Sequence, residues 1–255
     1  IEEFMMAAGW NPTDLLNTAA RVEMENTNIR GPAKTYSRVK PPNGGYMYPA
    51  YDLNHSYGEC DVFVSIAKMK EHATAGVTLS MKNLFGIAPI SIYGDAAGIN
   101  EPNELPRGGR GMFHGGRRQP SRSSPGEHPN SPRDPGARVP RVVADLVAAR
   151  PVHLAIIDGV VTMNHGEGPW IAGSVLVRPG LLVAGLNPVC TDAVGTALMG
   201  FDPMADRGKA PFERCDSTLR LGEEHGVGTR DLRRIEVVGA PIQGNVFRFR
   251  ERRRV

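Results

Sequence analysis

The chain has few cysteines and no close pair of them. Cys60, Cys190 and Cys215 stand far apart, with no Cys-x-x-Cys spacing. That pattern excludes a zinc ribbon, and no internal iron–sulfur cluster is expected. Thiols without partners favour a reducing, cytoplasmic compartment. Long apolar runs are also missing. None approaches the roughly 20 residues that cross a bilayer, so no transmembrane segment is expected. The chain opens on "IEEFMM", without an initiator methionine or a signal-like region. An N-terminal truncation is expected on that ground, and export stays open with it. No strand is followed by a Gly-x-Gly-x-x-Gly turn, and no His-Glu-x-x-His spacing occurs. A dinucleotide fingerprint and that metal-ligand pattern are therefore absent; no metal site is expected.

A large excess of one charge is lacking too. The formal net charge is +3 over 255 residues, and it is uneven. Residues 101–140 carry +3, the tail "RFRERRRV" (248–255) carries +4, and the remainder about −4. A nucleic-acid-binding fold would carry its charge on a structured face. No specific nucleic-acid partner is expected. The arginine tail reads as solvated, able at most to meet phosphates without specificity.

The length suits one α/β domain over 1–255. Residues 11–27 read as a short helix and 31–58 as loops with a short hairpin. "CDVFVSIA" (60–67) lacks alternation and reads as a strand covered on both faces. Between 101 and 140, fifteen of forty residues are Pro or Gly, seven are Arg, and aliphatics nearly vanish. Such a stretch buries too little apolar surface to offset chain ordering, so 115–139 reads as a flexible insertion. The pattern then sharpens into a helix at 140–150, strands at 152–161 and 180–187, helices at 188–200 and 215–228, and a strand at 233–240. This alternation predicts a mainly parallel sheet, helices on both faces and right-handed crossovers.

In open α/β sheets ligands gather beyond the carboxyl ends of the strands. Past 60–67 come Lys68, Lys70 and His72, which period-two alternation places on one face. Three cations on one face repel unless an anion or a carboxylate sits among them. "HATAGVTLSMKNLFG" then brings Thr78, Lys82 and Asn83. A lysine in a partly dry cleft can act as a base or an imine former. Asp158 lies near the end of 152–161, with His165 and Glu167 beyond it; Asp192 lies in the first turn of the helix after 180–187. The plainer readings stay open: surface lysines, a loop histidine, a turn aspartate, a helix-capping aspartate. His114 reads as the edge of a lid or as an ordinary loop histidine.

Together these motifs resemble the domain-of-unknown-function family 362. The likeness lies in Lys68-x-Lys70-x-His72, in Thr78-x-x-x-Lys82-Asn83-x-x-Gly86, and in Asp158-Gly159 with Gly168-Pro169. It continues in Pro188-Val189-x-x-Asp192, closed by Gly200-Phe201-Asp202. It covers roughly 55–100 and 140–240. Many members carry a separate ferredoxin-like module, so the resemblance implies such a partner; this chain lacks the cysteines for one of its own. The family's usual opening strand with a Lys-Pro-Asn step is absent. The expectation is a small anionic metabolite or cofactor bound in a Lys/His/Asp-lined cleft. Lys82 and His72 would be the catalytic pair. Lys68, Lys70, Thr78, Asn83, Asp158, Glu167 and Asp192 would be the binding residues. A non-catalytic redox-partner or cofactor-docking module is the alternative.

Overall fold

A computed structural model describes residues 3, 6, 11–98, 108–116, 120 and 122–250. Positions 117–119 and 121 of the expected insertion, and 251–255 of the basic tail, lie outside the described residues. The helices are α1 (Pro12–Leu16), α2 (His55–Glu59), α3 (Ser80–Asn83), α4 (Ile90–Tyr93), α5 (Gly111–Gly115), α6 (Pro135–Ala149), α7 (Pro188–Leu198) and α8 (Thr218–Glu224). The strands are β1 (Ser37–Val39), β2 (Tyr51–Leu53), β3 (Val64–Lys68), β4 (Lys70–His72), β5 (Gly76–Thr78), β6 (Leu154–Gly159), β7 (Thr162–Asn164), β8 (Val175–Val177) and β9 (Leu181–Gly185). Among the described residues no helix is long and apolar enough to cross a membrane.

The core forms around α6. Val142, Val143, Leu146 and Val147, at helical spacing, are buried against α5, α8 and the 3₁₀ turn Leu84–Ile87. The sequence places the start of this helix at Pro140; it starts at Pro135, and Pro140 lies inside. An internal proline leaves the carbonyl four residues back without its donor. Here that carbonyl, Gly136 O, accepts from Asp216 N at 2.8 Å, so it is not left orphaned. The helix is buried nearly all round, and its charges are met. Arg138 pairs with Glu127 at 2.6 Å. Asp145 accepts from Tyr46 N, Met47 N and the Tyr51 hydroxyl. Within 122–134, Ser124 Oγ donates to Asp52 at 2.7 Å and His128 N donates to Met47 O at 2.8 Å.

The sheet corrects the expected fold class. The largest ladder has three strands in the order β3-β6-β9 and is mixed: β3 runs parallel to β6, and β9 antiparallel to it. The other pairs, β1-β2, β4-β5 and β7-β8, are short and antiparallel. A mainly parallel sheet needs a helical crossover between successive strands. Between β6 and β9 the chain holds the β7-β8 pair and a Gly/Pro-bearing loop instead, so β9 returns antiparallel. "RRIEVVGA" is no strand: after a 3₁₀ turn at Leu232–Arg234 it joins no ladder.

Helices on both faces are corrected as well. α3 and α7 cover one face, where Ser65, Ala67, Ala155 and Ile157 are buried. The other face is open: Ile66 is 63% and Leu182 68% exposed. The unbroken apolar run around β3 reads as two covered faces, yet β3 alternates exposed and buried residues along its whole length.

Candidate functional site

The site grows from the chain just past β3. Met69 ends that strand: its N–H donates to Asp158 O at 2.9 Å, and its carbonyl accepts from the Thr162 hydroxyl at 2.5 Å. The chain then enters a separate ladder, β4-β5, with Lys70 opposite Thr78 and His72 opposite Gly76. Gly76 has φ +74°, and a Cβ there would lie 2.4 Å from the Phe212 ring. A side chain at this position is excluded on both counts. In β4, Lys70 and His72 share one side while Glu71 is buried on the other. Glu71 pairs there with Arg250, which also pairs with Glu213.

Lys82 reaches the same region on α3. That helix has only four residues, too few to hold itself. Its first turn is capped from another helix. Asp192 on α7 accepts from Ser80 N at 2.9 Å, Ser80 Oγ at 2.6 Å and Met81 N at 2.9 Å. Burial pushes the Asp192 carboxyl up to about 7, against these donors, which pull it down. Asn83 ties the other end to β3, donating to Ser65 Oγ and Ile66 O, each at 3.1 Å. The Lys82 ammonium lies 4.3 Å over the Phe85 ring.

Arg110, just before α5, completes the cluster. Its guanidinium donates to Ala88 O at 2.6 Å, Asn28 Oδ1 at 2.7 Å and Gly86 O at 2.9 Å, all neutral acceptors. Burial lowers it to about 10. His114 on α5 bonds Arg110 O through Nδ1 at 3.1 Å and sits edge-on to Phe85.

The electrostatics show which groups meet. Lys82 is pushed down to about 8 by burial, then by Arg110 and Lys70, with Glu167 opposing. His72 is pushed down to about 3 by burial, then by Lys82, His114 and Lys70. Burial lowers Lys70, and Glu167 opposes this. Lys70, His72, Lys82, Arg110 and His114 are therefore one basic cluster. Glu167 is the carboxylate at its edge: its carbonyl accepts from Lys70 Nζ at 2.7 Å and its side chain from Ala73 N at 3.2 Å. The Thr74 amide donates to His72 Nδ1 at 3.2 Å, which leaves the ring proton on Nε2. The Thr78 hydroxyl, across the ladder from Lys70, is buried without a hydrogen-bond partner.

A cavity of about 560 Å³ opens beside the cluster, lined by Glu71, His72, His165, Glu167, Glu213 and Arg250 among others. His165 takes φ 67° there, an uncommon conformation for a residue with a side chain. A second cavity, of about 400 Å³, follows the outer edge of β9 and touches none of the sequence-derived site residues. Among the described residues no three His, Cys, Asp or Glu side chains are placed to hold a metal ion.

The sequence-derived residues thus separate into three groups. Lys70, His72, Lys82 and Glu167 come together, with Thr78 opposite Lys70. Lys68 does not join them. It belongs to the larger sheet, where its ammonium pairs with Asp158, its register partner, at 2.6 Å and donates to Val161 O at 3.0 Å. The Lys68 bond is also the main reason the Asp158 carboxyl is lowered. Asn83 and Asp192 stand behind the cluster and hold the helix that carries Lys82. Arg110 was missed. It is one of seven arginines in a stretch without periodicity, and no local pattern marks it.

A search of curated proteins found no match, and neither did a search of solved structures. The family model described as domain of unknown function (DUF362) matches residues 15–197, well over half of the chain and the whole basic cluster. The chain belongs to the DUF362 family.

Proposed function

We propose that the chain binds a small anionic metabolite or cofactor at the basic cluster of Lys70, His72, Lys82 and Arg110, beside the cavity that His72 and Glu167 line. Lys82 and His72 are the groups available for chemistry on it. One observation carries this reading. The Lys82 ammonium is largely buried beside two further cations, and among the described residues it makes no ion pair. A buried charge without a partner is costly. An anion some 4 Å away at an effective dielectric of 20 would offset about 4 kcal/mol of that cost. The unpartnered Thr78 hydroxyl offers a hydrogen bond to the same guest. The neutral His72 ring offers its Nε2–H.

Native mass spectrometry of the freshly purified full chain, followed by calorimetric titration with phosphate, oxalate and pyruvate, tests the reading. At least one anion should bind one-to-one, tighter than about 1 mM. Lys82→Met should weaken it at least about tenfold, or 1.4 kcal/mol. Absence of binding by all three, or binding that the substitution leaves unchanged, overturns the reading. Retention of a ferredoxin in place of any small anion would favour a docking module.

A further inference from the structure

We propose that Lys82 is a carbonyl-trapping residue: its amine condenses with the carbonyl carbon of a small oxo acid whose carboxylate is held by Lys70 and Arg110. This rests on the anion-site reading and extends it from binding to bond formation.

The three cations of the cluster are not equivalent. Lys70 is tethered to the Glu167 carbonyl at 2.7 Å. Arg110 is fixed by Ala88 O, Gly86 O and Asn28 Oδ1. Both are held by neutral acceptors, so each keeps its full charge for a ligand. Lys82 is held by nothing of the kind. Among the described residues its Nζ donates to no acceptor, and its neighbour at 4.3 Å is the Phe85 ring. Two anchored cations whose charge reaches Lys82, and one amine without an acceptor beside an aromatic ring, would serve as a carboxylate clamp with a nucleophile next to it.

The amine is also available as a base. Burial and the two neighbouring cations push it down to about 8. In the unliganded protein at pH 7 roughly a tenth is then unprotonated, against a few parts in ten thousand for an ordinary lysine; a bound carboxylate paired with Lys70 and Arg110 lowers that fraction without bringing it to the ordinary value. Desolvation and adjacent cations are the recognised means of activating an amine nucleophile. His72 is neutral at that pH because burial and the same cations push it down to about 3. Its Nε2–H can therefore donate to a developing oxyanion without adding a further positive charge.

The step balances as follows. The Nζ lone pair forms the N–C bond, and the carbonyl π pair moves onto oxygen. One N–H proton passes from nitrogen to that oxygen, giving a carbinolamine. A second proton, taken from solvent, lets that oxygen leave as water while the nitrogen lone pair closes the C=N bond, giving a protonated imine that returns one proton to solvent when it deprotonates. No oxidant, reductant or metal is consumed.

The test uses the full chain with pyruvate, acetoacetate or 2-oxoglutarate, reduced with borohydride and mapped by peptide mass spectrometry. The expected product is a secondary amine on Lys82, heavier by the oxo acid less water plus two hydrogens. Labelling there should exceed that of exposed Lys34, Lys40 or Lys209 by at least about tenfold, given the larger free-amine fraction. Lactate, which has no carbonyl to trap, should give none. Lys82→Arg, folded by its melting curve, should lose the label. Three results overturn the proposal: no adduct with any of the three acids, label spread over surface lysines, or label surviving in Lys82→Arg. If an anion binds by calorimetry while nothing is trapped, the covalent step falls and the anion site stands. If nothing binds, both fall.

Discussion

The Asp192 carboxylate receives the Ser80 amide at 2.9 Å, so a buried acid on one helix caps another helix of only four residues. Asp192 is 2% exposed and has three donors on its two oxygens. Asp192→Asn turns one of those oxygens into an NH₂ group facing a donor. Breaking a buried, charge-assisted network of this kind costs about 2–4 kcal/mol. Urea unfolding should show a loss of that size. Lys82 should also lose its position, so anion affinity should fall in the same variant. A loss below about 0.5 kcal/mol, the level of ordinary surface changes, would mean that the cap is not needed.

Lys68 supplies the contrasting case. It carries the same charge as Lys70 two residues later, yet it pairs with Asp158 on the open face of the sheet. Its side chain is 51% exposed. Exposed ion pairs of this type contribute up to about 1 kcal/mol. Lys68→Ala should therefore cost little stability and leave anion affinity within a factor of two or so. Lys70→Ala should weaken anion binding clearly. Equal effects from the two substitutions, by calorimetry, would put Lys68 back in the site.

The Lys68–Lys70 contrast also shows how far the sequence could be read. The family pattern and the residue types point to Lys70, His72, Lys82 and Glu167, and the structure places these four near one another, on β4, on α3 and in the loop after β7. The period-two argument failed at Met69. There the strand ends and a new ladder begins, and nothing in "AKMKEH" marks that break. The parallel sheet was misread for a related reason. Strand direction depends on what fills 160–180, and a short β-pair leaves a fainter periodic signal than a crossover helix. Asp192 as a cap was among the open readings. Its target, twelve residues past β3 in another helix, required the tertiary structure. The long helix reads from Pro140 in the sequence yet starts at Pro135, because the donor that replaces the hydrogen bond missing at Pro140 comes from Asp216, far along the chain.

Lys82 should weaken the unliganded fold. Its ammonium sits at about 8 in the folded protein against 10.5 for the ordinary group. Between those values the unfolded chain binds more protons, so stability rises as pH rises from about 8 toward 10.5. Below 8 the folded protein carries the whole cost of a buried, charged lysine. Lys82→Met should therefore raise stability at pH 7, by about 1–3 kcal/mol, and flatten the alkaline rise. Thermal melts from pH 7 to 10 would show both. A lower melting point in the variant would make Lys82 a structural ion-pair residue.

Anion binding should reverse that balance, and its pH dependence gives the sign. A bound anion favours the charged amine, so Lys82 titrates higher in the complex than the 8 or so of the free protein. Above pH 8 the complex then holds more protons than free protein plus ligand, and affinity must fall as pH rises. Below pH 8 the amine is already charged and contributes no slope. His72 adds none either, since it stays neutral until near pH 3. Calorimetric titration with pyruvate, which does not itself titrate in this range, from pH 7.5 to 9.5, above the Asp192 titration at about 7, should show a Kd that changes little up to about 8, then a loss approaching tenfold per pH unit. Measured in two buffers of different ionisation enthalpy, proton uptake should approach one per anion bound at the alkaline end. Lys82→Arg, whose guanidinium stays charged throughout this range, should show no alkaline loss. A wild-type profile that stays flat through pH 9.5 would show that the anion's partner is not the Lys82 amine.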